Sequence, residues 1–123
     1  MKSLSRILAP LAIALTLALG LAACAPAVAT VPVTASTVVV DVRTPAEFST
    51  GHLKGAINLD VQSPSFDSMV AQLSPAGDYV LYCHSGSRAA AAITKLKALG
   101  FTSTVNAGGL DNAATATGLS IVE

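Results

Sequence analysis

Thr37-Val38-Val39-Val40-Asp41-Val42 is an almost unbroken run of β-branched residues. Such a run suits a parallel strand buried on both faces, where a half-exposed strand would alternate apolar with polar residues. The sequence after it alternates between short elements of both kinds. Thr44-Pro45-Ala46-Glu47 supplies an N-cap residue, proline at the first helical position and a glutamate able to reach back, so a short helix starts there and Gly51 ends it. Ala56-Ile57-Asn58-Leu59 reads as a second strand. Phe66, Met69, Val70 and Leu73 recur at helical spacing until Pro75 and Gly77 break the pattern. Tyr79-Val80-Leu81-Tyr82 reads as a third strand, ending directly at Cys83. Ala89, Ala92, Ile93 and Leu96 mark one face of a helix that stops at Gly100, and Val105 lies in a last strand. Strands alternating with helices at these spacings imply an α/β domain with a central parallel sheet covered on both faces.

The whole-chain hydrophobic content of 52% and mean hydropathy of +0.63 would suggest a membrane protein, but much of that excess sits in the first 30 residues. Lys2 and Arg6 form a positive start, and Ile7 to Leu21 is an uncharged, Leu/Ala-rich run, the build of a secretory signal. The run is short for a transmembrane helix, which needs about 20 apolar residues. Leu21-Ala22-Ala23-Cys24 resembles a bacterial lipobox, whose cysteine becomes lipidated through its thiol and leads the mature chain. Residues 1–23 are therefore expected to be a lipoprotein-type signal peptide, and Cys24 a lipid anchor in the cell envelope. Cleavage after Ala29, at Ala27-Val28-Ala29, is the alternative and would leave an unanchored periplasmic or secreted protein. Residues 24–36 carry no charge and read as a tether, leaving 37–123 as the folded domain. Seven Lys+Arg balance seven Asp+Glu, and no basic run or basic-aromatic interleaving suggests a nucleic-acid partner. Two histidines and one cysteine left with a free thiol give no metal-ligand cluster, and no cofactor is implied.

The chemistry centres on Cys83-His84-Ser85-Gly86-Ser87-Arg88. A cysteine between a buried strand and a helix sits at the carboxyl edge of a parallel sheet, where open α/β folds bind ligands. The short, glycine-containing loop allows successive backbone N–H groups to curl around one point. The positive end of the following helix and the charge of Arg88 favour the thiolate over the thiol. The same features would hold a persulfide or an oxyanion. Cys83 is thus the expected nucleophile. His84, Ser85, Gly86, Ser87 and Arg88 are the expected substrate-binding residues, with Arg88 facing the anion, ion pairing at the helix surface being its alternative, and His84 open between an acid-base role and a solvated position.

These residues resemble single-domain rhodanese-like proteins, in which a strand-loop-helix bearing Cys-x-x-Gly-x-Arg carries sulfur as a cysteine persulfide. The likeness extends to Asp41-Val42-Arg43-Thr44-Pro45-Ala46-Glu47-Phe48, to Gly51-His52-Leu53-Lys54-Gly55-Ala56-Ile57-Asn58 and to Asn106-Ala107-Gly108-Gly109-Leu110. Together these span residues 38 to 111, and the compact start looks most like the exported phage-shock-protein-E type. The resemblance implies a three-layer α/β/α fold with the N-terminal edge of the sheet reduced, because few residues precede Asp41. It implies thiosulfate or another sulfane-sulfur donor, and cyanide or a thiol as acceptor. It makes His52 a structural turn residue whose imidazole fastens neighbouring backbone. Asp41 and Arg43 look like scaffold held by an ion pair, Gly108 and Gly109 like a tight turn near the site, and Lys95 and Lys97 like a solvated helix face. Unlike many members, the chain contains no tryptophan after the Gly-Gly pair.

Two other functions compete. A non-catalytic, membrane-tethered module could carry a persulfide or sense redox stress with the same cysteine. Related folds also use cysteine-to-arginine loops in phosphatases and arsenate reductases, but with five intervening residues. Here four intervene, and the smaller ring suits a sulfur atom better than a tetrahedral oxyanion.

Overall fold

The computed structural model describes residues 28–123. The expected signal peptide, the lipobox and Cys24 lie outside the described residues. Four strands form one parallel sheet in the order β3-β1-β4-β5, with β1 at Thr37–Asp41, β3 at Ile57–Asn58, β4 at Asp78–Cys83 and β5 at Ser103–Gly109. Helices flank this central sheet, as an α/β fold requires.

Alternation along β1 and β4 divides the core into two layers. Val40, Val42, Tyr79, Leu81 and Cys83 face α2 (Phe66–Val70) and α3 (Ser87–Ala98), packing with Phe66, Val70, Ala89, Ala92 and Leu96. Val39, Val80 and Tyr82 face the other way, toward Leu53, Ala107 and Ala113. Both faces of the central strands are dry, which is why their sequence is apolar without a break. The ring of Tyr79 meets that of Phe101 edge-on at 5.3 Å between centroids, a geometry that adds about 0.5–1.5 kcal/mol beyond area burial.

The first helix, α1 at Pro45–Ser49, starts as its sequence dictates. Thr44 Oγ1 accepts from the Glu47 N–H, and Glu47 Oε2 accepts from the Thr44 N–H at 3.1 Å. The helix α3 ends at Gly100, which takes φ +90°, with Lys95 and Lys97 in its last turn against the negative helix end.

Three features lie beyond the sequence reading. A fourth helix, α4 at Leu110–Thr117, follows β5 without a side-chain cap and buries only Ala113 and Ala116. A two-stranded antiparallel ladder joins β2 (His52–Leu53) to β6 (Ile121–Val122), tying the C-terminus to the turn after α1. The domain's packing also begins inside the segment expected to be a tether. Val31 and Val33 pack against the α4-side core, and the Val31 N–H donates to Ala116 O at 2.8 Å. Among the described residues no strand precedes β1, and this short stretch of alternating inward valines covers the sheet instead.

Candidate active site

The strand β4 delivers Cys83 to the carboxyl edge of the sheet, on the face covered by α2 and α3. Its side chain has no exposed surface, and the Gly86 N–H donates to Sγ at 2.9 Å. Burial pushes the Cys83 thiol up, but backbone N–H groups of Ala89, Ser85, Gly86 and Arg88 turn toward the sulfur and bring it below its ordinary value. Hydrogen bonds to the charged form outweigh desolvation. Gly86 makes the ring possible by taking φ +92°, the left-handed region that costs an L side chain about 1–2 kcal/mol.

The loop is backed by the end of β5. Asn106 Nδ2 donates to Gly86 O at 2.9 Å, and Asn106 Oδ1 accepts from the Gly108 N–H at 2.9 Å. A Cβ on Gly86 would stand 3.2 Å from Gly108 Cα, and one on Gly109 would overlap the His84 carbonyl oxygen. The β4–β5 register shifts between Leu81 and Cys83, where Leu81 pairs with Asn106 but Cys83 with Gly109. That extra residue brings both Asn106 and the glycine pair against the loop.

Arg88 departs from expectation. Its guanidinium does not stand free for an anion but is held fork to fork by Glu47, with Nη1 at 2.8 Å from Oε2 and Nη2 at 2.8 Å from Oε1. The physical reason is geometric match: a planar guanidinium and a carboxylate make two parallel charge-assisted bonds. The Arg88 guanidinium holds the Glu47 carboxyl well below the usual carboxylate range. Glu47 therefore joins the start of α1 to the end of the loop, a role its part in the capping box did not reveal.

The remaining expected residues take different places. Ser85 Oγ and Ser87 Oγ lie 3.1 Å apart on the exposed rim. His84 is exposed and lines a cleft of about 330 Å³ with Arg43, Gly109, Leu110, Asp111 and Asn112, on the α4 side of the loop. His52 Nδ1 is 2.9 Å from Phe48 O, and its ring stacks on Phe48 at 3.7 Å between centroids. It fastens the turn after α1. Asp41 and Arg43 form a buried pair at 2.6 Å, and Arg43 Nη2 also donates to Gly51 O at 2.6 Å. Tyr82 lies beneath, with the Arg43 guanidinium 5.8 Å from its ring centroid and its hydroxyl accepting from the Leu53 N–H at 2.9 Å. Burial pushes the Tyr82 phenol well above its ordinary range.

This arrangement of a thiolate-favouring loop between a parallel strand and a helix can be set beside known proteins. The sequence profile of the family described as "Rhodanese-like domain" matches residues 30–116. The chain belongs to the rhodanese-like domain family. Its profile match begins at residue 30, in keeping with the packing of Val31 and Val33 on the domain. Among solved structures, this rhodanese-like chain is similar to a rhodanese with anions from E. coli, 26% identical with a TM-score of 0.60, covering 71% of this chain and 98% of that one. It is similar to a rhodanese-related protein from Thermoplasma volcanium, 27% identical with a TM-score of 0.57, covering 71% and 84%. A rhodanese-like domain from Anabaena, 21% identical, shares the fold with a TM-score of 0.62, covering 72% and 82%. Among curated proteins, a thiosulfate sulfurtransferase from Corynebacterium glutamicum is 38% identical over 42% of this chain. The match spans only 26% of that relative's length.

Proposed function

We propose that this rhodanese-like protein is a thiosulfate sulfurtransferase of the exported phage-shock-protein-E type, anchored to a bacterial membrane through a lipid on Cys24. The observation that carries the chemistry is the Gly86 N–H directed at Cys83 Sγ at 2.9 Å, with the surrounding backbone N–H groups favouring the thiolate. The Cys83 thiolate attacks the outer sulfur of thiosulfate; the sulfur–sulfur bond of the donor breaks, and sulfite leaves with its electron pair. The Cys83 persulfide then gives its outer sulfur to cyanide or a thiolate, and the Cys83 thiolate is regenerated. Covalent catalysis divides the transfer into two easier displacements. Both steps leave negative charge on sulfur, which the fixed amides stabilise without reorganisation.

Arg88 serves the reaction through the loop, since Glu47 occupies its guanidinium. The four-residue spacing between Cys83 and Arg88 and the sulfur-sized ring favour sulfane transfer over phosphoryl or arsenate chemistry. The test is sulfite release from thiosulfate, with cyanide as acceptor, by the purified chain and its Cys83→Ala variant. Release should fall to the uncatalysed background in the variant. A Cys83→Ala protein that turns over at the wild-type rate would overturn the assignment.

A further inference from the structure

The N-terminal segment enters the domain along the outer flank of β5 and α4, beside the residues that back the loop. Val28 and Ala29 line a cleft of about 300 Å³ that runs from Asn106, Gly108 and Asn112 at the loop end to Val105 and Ala116. From there the chain runs down along α4, where the Val31 N–H donates to Ala116 O, and reaches the opposite, amino edge of the sheet where β1 starts at Thr37. Gly108 and Asn106 are the residues that back the Cys83 loop: Gly108 donates to Asn106, Asn106 donates to Gly86, and Gly86 donates to the sulfur. Gly108, which shares the cleft of Val28 and Ala29, is thus linked to the sulfur by three hydrogen bonds.

Four peptide steps separate Cys24 from Val28, and they span at most about 14 Å whatever their conformation. A domain of this size is about 30 Å across. The tether is therefore too short for Val28 to stand on the side away from a bilayer that holds Cys24. The geometry points to an orientation: the carboxyl edge of the sheet, with the Cys83 loop, faces the lipid surface, while the amino edge faces away. This rests on the reading of Cys24 as the lipidated residue. Its consequence for the reaction is steric. A sulfur acceptor must enter the narrow layer between domain and membrane, so small thiols and thiols held at the membrane reach Cys83, and bulky soluble proteins do not.

The chain has no tryptophan, so a single introduced indole reports its own position. Asp111 and Leu99 are both exposed; Asp111 lies at the carboxyl edge, and Leu99, past the end of α3, at the amino edge. Lipidated Asp111→Trp and Leu99→Trp proteins, processed to begin at Cys24, would be placed in phosphatidylcholine vesicles containing a lipid with a dansyl headgroup. Energy transfer from the indole should be at least about twofold stronger in Asp111→Trp. An added Gly/Ser segment of about twenty residues between Pro26 and Ala27, with a mean span of about 25 Å, should bring the two values together. Equal transfer from the two reporters in chains shown by intact mass to be lipidated overturns the orientation alone. Chains recovered without the added lipid mass overturn the reading of Cys24 and the orientation with it. Neither outcome depends on sulfur transfer, which the sulfite assay reads separately.

Discussion

Replacing Gly86 by alanine sets two costs against each other. Gly86 holds φ +92°, and a side chain in that region costs about 1–2 kcal/mol. The new Cβ would also stand 3.2 Å from Gly108 Cα, a backbone atom that no rotamer change can move aside. If the loop keeps its shape, both penalties fall on the folded state, about 2 kcal/mol together, and Tm drops by roughly 8–16 °C for a domain of this size. If the loop relaxes, stability falls less, but the Gly86 N–H leaves the sulfur. A hydrogen bond to a charged group favours the charged form, so losing this one moves the pH profile of Cys83 alkylation by iodoacetamide upward. Thermal unfolding and the pH profile of alkylation are measured on the same preparation. At least one must move. A Gly86→Ala protein with unchanged Tm and an unchanged profile would refute the argument that this glycine shapes the sulfur's cradle.

Glu47→Gln should flatten the acid side of the stability curve. The folded carboxyl is held below its unfolded value, so its contribution is present above the unfolded range near 4.3 and is lost as pH falls below it. With its side chain 35% exposed, that contribution is within about 1 kcal/mol; urea unfolding at pH 7 and pH 3 should differ less in the variant than in the wild type, and an equal difference would count against the Glu47–Arg88 pair. Asp41→Ala leaves the Arg43 guanidinium, 5% exposed, without its buried counter-charge. Urea unfolding should show a loss of about 3–5 kcal/mol, and a loss under 1 kcal/mol would mean that water takes over the role of Asp41.

What the sequence disclosed follows from how local its causes are. The strands β1 and β4 are legible because burial on both faces demands apolar residues at every position. The helix α1 is legible because its start is written in four consecutive residues. The cysteine loop shows itself by lying between a strand and a helix. The helix α4 is not legible: it has no capping side chain, and its buried face is two alanines, whose small apolar surface leaves no periodic signal. The ladder of β2 and β6 is two residues long, below the reach of any pattern. Val31 and Val33 do alternate with Pro32 and Thr34, a weak strand-like signal in a stretch whose composition suggests a linker. The partner of Arg88 was hidden for a different reason. Glu47 lies 41 residues away, and its local role in the capping box accounts for it without a second one.

The glycine pair at the end of β5 has a consequence for the size of the catalytic ring. Gly109 stands so close to the His84 carbonyl that even one methyl group has no place there, and a methyl group on Gly86 would stand 3.2 Å from Gly108 Cα. A loop with one more residue between Cys83 and Arg88 could not swell backward; it would have to push β5 away or bulge into solvent and shift Arg88 from its pairing with Glu47. The ring diameter is thus dictated by a wall some twenty residues downstream, and altering what the ring encloses would take coordinated changes in two separate stretches of chain.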